Sequence, residues 1–358
     1  MSLIDYPELE DEAQELFEHF RFSIDKGQTP TRIDKYLAAR IEGISRSRIQ
    51  AATDADYVLV NEKAVKSSYL VKPLDQISIV MPYRRRGVEI FPENIPLNVV
   101  YEDDELLVIN KPVGLVVHPG HGNYSGTLVN GLAWHLGIRE KVEGDERMGM
   151  LVHRIDKNTS GLLVVAKTDE SQFGLSKQFF NHTVQRQYVA LAWGNLSQEE
   201  GTISFPIGRH QNDRLRFKAF KEDEGETKGA LVRHAVTHYH VIERFGYVTL
   251  LTCRLETGRT HQIRVHLEAI GHPLFNDDRY NGNTLRQGAR YTKFKAFVEN
   301  CFKIMPHHAL HAQTLGFIHP KTKEEIQFSA PLPNDFQQVL DRWRQYVKNV
   351  SDLPPFSS

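Results

Sequence analysis

The sequence predicts a large α+β domain around a mixed, largely antiparallel β-sheet with flanking helices, preceded by a small N-terminal α/β domain. Apolar runs typical of strands outnumber helical patterns, and the two kinds of segment do not alternate regularly. This pattern disfavours a doubly wound fold. Nucleotide-binding glycine motifs and internal repeats are both absent from the sequence, so nucleotide cofactors are not suggested. The 358 residues, 40% of them hydrophobic, leave room for two cores.

Residues 1–24 are predicted to form an acidic N-terminal extension, to which we assign no function. Residues 1–30 carry 8 Asp and Glu against 2 Lys and Arg, and Leu16, Phe17 and Phe20 have helical spacing. Residues 31–90 reverse the balance, with 7 acids against 11 bases. The formal net charge of −1 therefore conceals a basic module.

Residues 25–86 are predicted to be that module, with two short basic helices and a small sheet. Ile33, Leu37 and Ile41 repeat on one helical face, and Ser45 is a candidate N-cap for the second helix. Residues 57–60 and 75–80 read as strands, with a tight turn at 61–63.

This pattern resembles the small alpha-L type RNA-binding domain first known from a ribosomal protein. The resemblance implies that Arg46, Arg48 and Lys63 contact RNA phosphates. By their charges alone, these residues fit a solvated helical face equally well.

A linker over residues 87–96 follows the basic triplet Arg84-Arg85-Arg86, and residues 97–350 are predicted to form the catalytic domain. Strands are expected near 99–101, 106–109, 162–166, 188–192 and 248–251, and helices near 126–136, 169–181, 261–270 and 336–347. Residues 281–295, with Arg286, Arg290, Lys293 and Lys295, are predicted to be an elaborated loop. This loop could contact RNA or be a solvated insertion.

The segment His153-Arg154-Ile155-Asp156-Lys157-Asn158-Thr159-Ser160-Gly161-Leu162-Leu163 crowds polar residues into a loop that feeds a buried strand. An aspartate between an arginine and a lysine is ordinarily a turn residue or a surface ion pair. However, the segment resembles the HRLDxxTSGLL signature of the RluA-type pseudouridine synthases, with Ile155 in place of Leu.

Further blocks resemble that family in the same order, at residues 109–119, 186–191, 256–266, 271–274 and 309–312. With the N-terminal module the resemblance covers roughly residues 25–330, and it is greatest to the ribosomal large-subunit synthase D branch, partly through Gly120-His121-Gly122-Asn123. There are two departures from the family pattern: Arg186 replaces the commoner Lys, and Asn276-Asp277-Asp278 replaces Gly-Asp. We expect neither departure to touch the nucleophile.

The resemblance implies that Asp156 is the catalytic nucleophile and that no cofactor is needed. A carboxylate in a buried pocket stays ionised only beside a cation, and by motif that cation is Arg264. Tyr188 is expected to stack on the uracil, and Arg154 to bind a phosphate or fill the gap left by a flipped nucleotide. Attack at the sugar and attack at the base both remain open.

Other classes of site are less well supported. The histidines at 234, 238 and 240 and those at 307, 308 and 311 lack carboxylate or Cys partners in a ligand spacing, so no metal is expected. Cys253 and Cys301 are predicted to be buried thiols. No run of residues resembles a membrane span or a signal peptide, which predicts a cytoplasmic protein.

The predicted partner is structured RNA, most simply large-subunit rRNA or a pre-ribosomal particle, bound by a monomer. One alternative is a synthase acting on tRNA or on several RNAs. Another is a non-catalytic RNA-binding factor in ribosome assembly. Intact Asp156, Tyr188 and Arg264 argue against the non-catalytic alternative.

Overall fold

The protein is described from a computed structural model. The structure describes residues 16–41, 44–81, 89–120, 123–143, 151–213, 215–220, 232–285 and 292–349. Several sequence predictions fall outside these ranges: most of the acidic extension, the triplet Arg84-Arg85-Arg86, His121 and Gly122, and Arg286 and Arg290. Within the described ranges, no helix is long and apolar enough to cross a membrane.

The N-terminal part of the chain folds into two helices over a small sheet. The helices are α1 (Ile33–Ala38) and α2 (Arg46–Asp54), and the strands are β1 (Phe17–Ser23), β2 (Thr31–Arg32), β3 (Val58–Val60), β4 (Lys63–Ala64), β5 (Leu70–Val71) and β6 (Gln76–Met81). The sheet has the order β1-β6-β3-β4, and β2 pairs with β5. Ser45 caps α2 by accepting the Arg48 N–H at 3.2 Å, as its position in the sequence predicted.

The helical interpretation of Phe17 and Phe20 is wrong. Both residues lie in strand β1, which runs antiparallel to β6 from Phe17↔Met81 to Ser23↔Gln76. Phe20 and Phe22 pack against the core of the small domain, while Arg21 and Ser23 face solvent. This two-residue alternation is that of a strand with one buried face. Pairing with the edge of β6 therefore overrides the helical spacing of the apolar residues. The small sheet thus includes residues that precede the predicted boundary at residue 25.

The catalytic domain is built on a nine-stranded sheet, which confirms the predicted fold class. Its strands are β8 (Val99–Glu102), β9 (Leu106–Lys111), β11 (Ser160–Ala166), β12 (Gln185–Trp193), β13 (Glu200–Ile203), β17 (Thr237–Arg244), β18 (Val248–Leu255), β19 (Leu310–Ile318) and β20 (Glu325–Ser329). Five shorter strands lie outside it: β7 (Glu89–Ile90), β10 (Val142–Glu143), β14 (Ile207–Arg209), β15 (Phe217–Ala219) and β16 (Val232–Arg233).

The large sheet has the order β13-β17-β18-β12-β19-β11-β9-β8, and all its pairings are antiparallel except β11 with β19. The parallel pairing is short, joining Ser160 to His311 and Gly161 to Ala312. From Thr314 onward β19 pairs with β20 instead. The sheet therefore divides beside the first residues of β11, directly after the loop that carries Asp156.

Five helices cover the large sheet: α3 (Leu128–His135), α4 (Asp169–Phe180), α5 (Gln262–Ala269), α6 (Thr292–Ile304) and α7 (Asn334–Asn349). Strand β12 shows how the two faces are used. Tyr188 and Ala190 pack in the core shared with α3 and α5, while Val189 and Leu191 pack in the core shared with α6 and α7. Strand periodicity thus places Tyr188 on the face that carries α5. The two cysteines are buried and free, as predicted.

The predicted loop over residues 281–295 ends inside a helix. Residues 292–295 form the first turn of α6, and Phe294 is buried against Trp343 of α7. Lys293 and Lys295 are exposed on the opposite side. The loop interpretation is therefore wrong for these four residues. Their charged side chains suggested a loop in the sequence, but the buried ring of Phe294 holds them in the first turn of a helix.

The small domain packs on the catalytic domain through α2 and α4. The Tyr57 ring meets the Phe173 ring edge-on at 5.8 Å, and Phe173 of α4 is buried among the core residues of the small domain. Two ion pairs flank this contact: Arg48 with Asp169 at 3.5 Å, and Lys177 with Asp56 at 2.6 Å.

Candidate active site

Asp156 lies in the loop directly before β11, and backbone contacts shape this loop. The Asp156 carbonyl accepts the Thr159 N–H at 3.1 Å, and the Lys157 carbonyl accepts the Gly114 N–H at 2.9 Å. Lys111, which is fully buried, donates to the carbonyl oxygens of Pro112, Leu115 and Lys157 at 2.8–3.0 Å. Lys111 therefore ties the segment after β9 to the residue that follows Asp156.

Burial lowers the pKa of Lys111 to about 7, and the negative charge of Asp156 opposes that shift. Three carbonyl acceptors match the three N–H donors of an ammonium group, so the geometry favours the charged form.

The start of β11 is anchored on the other side to β19 and to the segment just before it. Thr159 Oγ1 is 2.9 Å from His308 Nε2, and Ser160 Oγ is 2.9 Å from His311 Nδ1. Gly161 has a φ of +114°, and a Cβ atom there would overlap the backbone of Ala312. Only glycine allows this close strand contact, so the Ser-Gly pair of the motif has a structural role behind the site.

Arg264 on α5 connects two carboxylates. Its Nη1 donates to Asp156 Oδ2 at 2.9 Å, while Nε and Nη2 donate to the two oxygens of Asp277 at 2.8 and 2.9 Å. Asp277 is fully buried and also accepts the backbone N–H of Arg279 and of Tyr280. The bidentate pair fixes the guanidinium plane, so its remaining edge is directed at Asp156.

The Asp156 carboxylate is held in its ionised form. Burial alone would raise its pKa, but the His261 ring, which is protonated at the low pH where Asp156 titrates, the charge of Arg264 and the hydrogen bond from Arg264 hold it well below its ordinary value. Burial lowers the pKa of His261 to about 4, so that ring is neutral near pH 7 and Arg264 is the permanent cation. Asp156 is therefore available as an anionic nucleophile or base across the physiological range.

His261 stands on the other side of the carboxylate. It precedes α5 in the left-handed backbone region, at a φ of 57°, and its Nε2 is 3.9 Å from Asp156 Oδ1. Its Nδ1 is 2.7 Å from the Tyr280 hydroxyl, whose oxygen already accepts the Phe217 N–H. The simplest arrangement has Tyr280 donating to Nδ1, which leaves an Nε2–H directed toward Asp156.

Asp156 opens onto two cavities. The larger, of about 250 Å³, is lined by His118, Lys157, Asn158, His261, Arg264, Asp278, Arg279 and His308 among others. The smaller, of about 60 Å³, is lined by Tyr188, Arg186, Arg259 and Leu310 among others. Arg154 borders both, and its side chain is exposed. The structure thus brings together Asp156, Arg264, Tyr188 and Arg154, the four residues expected at the active site.

The three residues assigned to RNA in the small domain lie apart from this site. Arg46 donates to the fully buried Asp34 at 3.0 Å, Arg48 pairs with Asp169 across the domain contact, and Lys63 is exposed on β4. Neither cavity includes any of them. Their assignment to RNA stays a prediction.

Several of the histidines considered as metal ligands contact other side chains. His238 contacts Thr202 and Glu256, His307 contacts Asp335, and His311 contacts Ser160. In the described ranges no three His, Cys, Asp or Glu side chains cluster as a metal site would require.

Sequence reasoning missed Lys111, His261, Asp277 and Arg186 as residues of the site. It expected neither departure from the family pattern to touch the nucleophile, and no described hydrogen bond or ion pair joins Asp156 to Arg186 or Asp277, but both residues lie closer to the site than that expectation suggested. Asp277 binds the cation that pairs with Asp156, and Arg186 lines a cavity with it. Their signal was available, because Lys111, Arg186 and His261 fall in blocks that the resemblance had already marked, and Asp277 lies in a departure noted just after one of them.

Comparison with known proteins agrees with this geometry. A family model described as RNA pseudouridylate synthase matches residues 105–269, from β9 to the end of α5. An RNA pseudouridine synthase of Chlorobaculum parvum is 44% identical over 90% of this chain and 96% of its own length. The ribosomal large subunit pseudouridine synthase D of Zymomonas mobilis is 40% identical over 86% of this chain and 92% of its own.

A solved structure shows the same fold. Human RNA pseudouridylate synthase domain containing 4 superposes with a TM-score of 0.50 and 24% identity, covering 69% of this chain and 93% of its own. The order of the motifs, the geometry of the Asp156 site and the relatives that align over most of the chain all indicate the same family. The chain therefore belongs to the RluA-type RNA pseudouridine synthases, which are isomerases that modify RNA.

Proposed function

We propose that this protein converts specific uridines of large-subunit ribosomal RNA to pseudouridine, with Asp156 as the nucleophile and without a cofactor. The observation that carries the proposal is the contact of Asp156 with Arg264 at 2.9 Å, which keeps a largely enclosed carboxylate ionised beside two cavities. Isomerisation exchanges the N1–C1′ bond for a C5–C1′ bond and moves one proton from C5 to N1. It needs no redox partner and no energy source.

Asp156 acts on the ribose C1′ or on the base while the glycosidic bond breaks. Arg264 stabilises the anionic form of Asp156 without donating its own proton. Burial lowers the pKa of Arg264, but its hydrogen bonds and charge contacts with Asp277 and Asp156 outweigh burial and raise that pKa. The bidentate contact with Asp277 holds the guanidinium still, so the carboxylate is oriented before the substrate arrives.

Tyr188 lines the cavity on the far side of Asp156, where its ring offers a face for the uracil. Burial raises its pKa, so the hydroxyl is a neutral phenol that can exchange a proton at the new bond. Arg154 is exposed at the rim of both cavities, a position suited to a phosphate or to the space left by a flipped base.

The substrate assignment draws on the relatives named for the ribosomal large subunit. A small domain carrying Lys63, Arg46 and Arg48 extends the surface that faces a large RNA. We propose that it binds RNA phosphates, and that the protein acts in the cytoplasm as a monomer on rRNA or a pre-ribosomal particle. Such binding weakens with rising salt concentration, because phosphate contacts release counterions.

The test is pseudouridine formation on large-subunit rRNA from a strain lacking this enzyme. The purified protein and its Asp156→Asn variant are compared with EDTA present and no cofactor added. We expect the wild type to modify the rRNA, and the variant to bind it without modifying it.

Each part of the proposal has its own contrary result. Activity of Asp156→Asn would overturn the nucleophile, and loss of wild-type activity in EDTA would overturn the cofactor-free reaction. Modification of tRNA but not of rRNA would overturn the substrate.

A further inference from the structure

Arg186 is a half-buried cation at the active site that the reaction scheme leaves unused. It lies on β12 two residues before Tyr188, and both side chains line the smaller cavity beside Asp156. The antiparallel register of β12 with β19 shifts between Gln187 and Tyr188, at the edge of this cavity.

No carboxylate of the described residues forms an ion pair with Arg186. Its Nε atom is enclosed and has no hydrogen-bond partner. The guanidinium lies 5.4 Å from the centre of the Phe179 ring, and a Cβ atom at Gly258 would come within 2.8 Å of its Nη1. An apolar ring and a backbone segment therefore hold the side chain in place without neutralising it.

The contrast with Arg264 shows how unusual this is. Arg264 is more fully enclosed, but it makes three hydrogen bonds to two carboxylates. Burying a cation without an anion costs free energy, and burial accordingly lowers the pKa of Arg186. A fold keeps such a group at low cost only if an anion supplied from outside completes the site.

The surroundings favour an anion. Arg154 and Arg259 line the same cavity, and the charges of Arg186 and Arg259 both lower the pKa of nearby His182, after the larger effect of burial. A positive field in a partly closed cavity attracts negative charge. The RNA substrate carries its negative charge on phosphates, and an arginine fork matches phosphate oxygens.

We propose that Arg186 binds a phosphate that flanks the target uridine and so completes its own charge pairing when RNA enters the smaller cavity. The phosphate replaces the missing carboxylate, and the ring of Tyr188 on the same strand receives the base. This inference depends on the proposed function only for the choice of the RNA probe.

The first experiment measures RNA affinity and thermal stability together. The probe is the shortest RNA fragment in which the wild type forms pseudouridine, and binding is measured in the Asp156→Asn background to prevent turnover. We expect Arg186→Gln to weaken binding about tenfold or more. Its melting temperature should stay unchanged or rise, because a half-buried cation without a carboxylate partner is removed. Arg186→Lys, which keeps the charge, should recover most of the affinity.

Arg254→Gln is the matched control. Arg254 is exposed on β18 opposite Gln187 and lines neither cavity. The Arg254→Gln substitution therefore removes the same charge from the neighbouring strand without changing either cavity. We expect little loss of affinity. A lower melting temperature for Arg186→Gln with unchanged RNA affinity would show a structural role and overturn the proposal.

The second experiment removes the charge from the RNA. A methylphosphonate is placed in turn on the 5′ and on the 3′ side of the target uridine. At one position it should weaken binding to the protein that retains Arg186 and have little further effect on Arg186→Gln. Equal losses for both proteins at both positions would overturn phosphate binding.

These outcomes are separate from those for the proposed function. If the modified RNA proves to be tRNA, the fragment is taken from that tRNA and the Arg186 test is unchanged.

Discussion

Two regions of this protein contain arginine–aspartate ion pairs that differ in their exposure to water: the active site and the contact between the two domains. Behind the active site, Arg264 joins Asp156 and Asp277 with both its own side chain and Asp277 withdrawn from water. At the contact between the domains, Arg48 meets Asp169 at 3.5 Å with side chains 20% and 42% exposed. Water screens the Arg48–Asp169 pair and hardly reaches the Arg264–Asp277 pair, so similar ion pairs are expected to differ widely in their contribution to stability.

The largest effect expected is on catalysis. Asp156→Asn keeps the size of the side chain but removes the charge that Arg264 and His261 surround. We expect the rate of pseudouridine formation to fall by about four orders of magnitude or more, as for loss of other catalytic nucleophiles. Single-turnover kinetics measure the rate, and an unchanged circular dichroism spectrum with retained RNA binding is the control.

The next effect is on stability. Arg264→Met leaves Asp156 and Asp277 as neighbouring enclosed carboxylates without their cation, at an expected cost of about 3–5 kcal/mol in the free energy of unfolding. Adding Asp277→Leu should recover part of this loss, which denaturant unfolding would measure. Equal stability of Arg264→Met and wild type at pH 7 would contradict the importance of burial.

The pH dependence of this loss has a definite sign. In the wild type the pKa values of Asp156 and Asp277 lie below their ordinary values, because Arg264, with other charges and hydrogen bonds, outweighs burial. They contribute stability above the ordinary carboxyl pKa, and this contribution disappears as the pH falls through the folded pKa. In Arg264→Met, burial raises both pKa values instead. We therefore expect the difference in stability to be greatest near pH 7 and to shrink toward pH 4.

An intermediate effect is expected inside the small domain. Asp34 is fully buried and accepts hydrogen bonds from Arg32, Arg46, Gln50 and the Lys35 N–H, although its arginine partners are half exposed. Asp34→Asn should destabilise this domain by about 1–3 kcal/mol, because charge-assisted hydrogen bonds are lost. Hydrogen exchange of α1 and α2 in the full chain measures this, with exchange in β11 as the control. If Asp34→Asn left the exchange rates of both α1–α2 and β11 unchanged, this prediction would be contradicted.

The smallest effect is expected at the domain contact. The coupling free energy of Arg48 and Asp169, from a double-mutant cycle with Arg48→Gln and Asp169→Asn, should be at most about 1 kcal/mol and decline with added salt. Asp169→Asn should raise RNA affinity slightly if Arg48 also contacts phosphates. A coupling as large as that of the Arg264 network would remove the distinction between the two regions.

The sequence by itself determined the family, the α+β class, and the loop, strand and helix that carry Asp156, Tyr188 and Arg264, since these depend on local motifs and on strand and helix periodicity. Much of what surrounds them could not be read from local patterns. Phe17 and Phe20 lie in a strand because this segment pairs with the edge of β6. Residues 292–295 are helical because Phe294 packs in the core beside α7.

Only the tertiary structure decided which charges are paired. Asp277 is 13 residues from Arg264 and Asp156 is 108 residues away, yet all three meet in one network, while Arg186 has no carboxylate partner in the part of the chain that the structure describes. Sequence spacing specifies which face of an element a side chain occupies. The distances between elements, and the burial that gives each charge its energetic weight, arise only when those elements pack together.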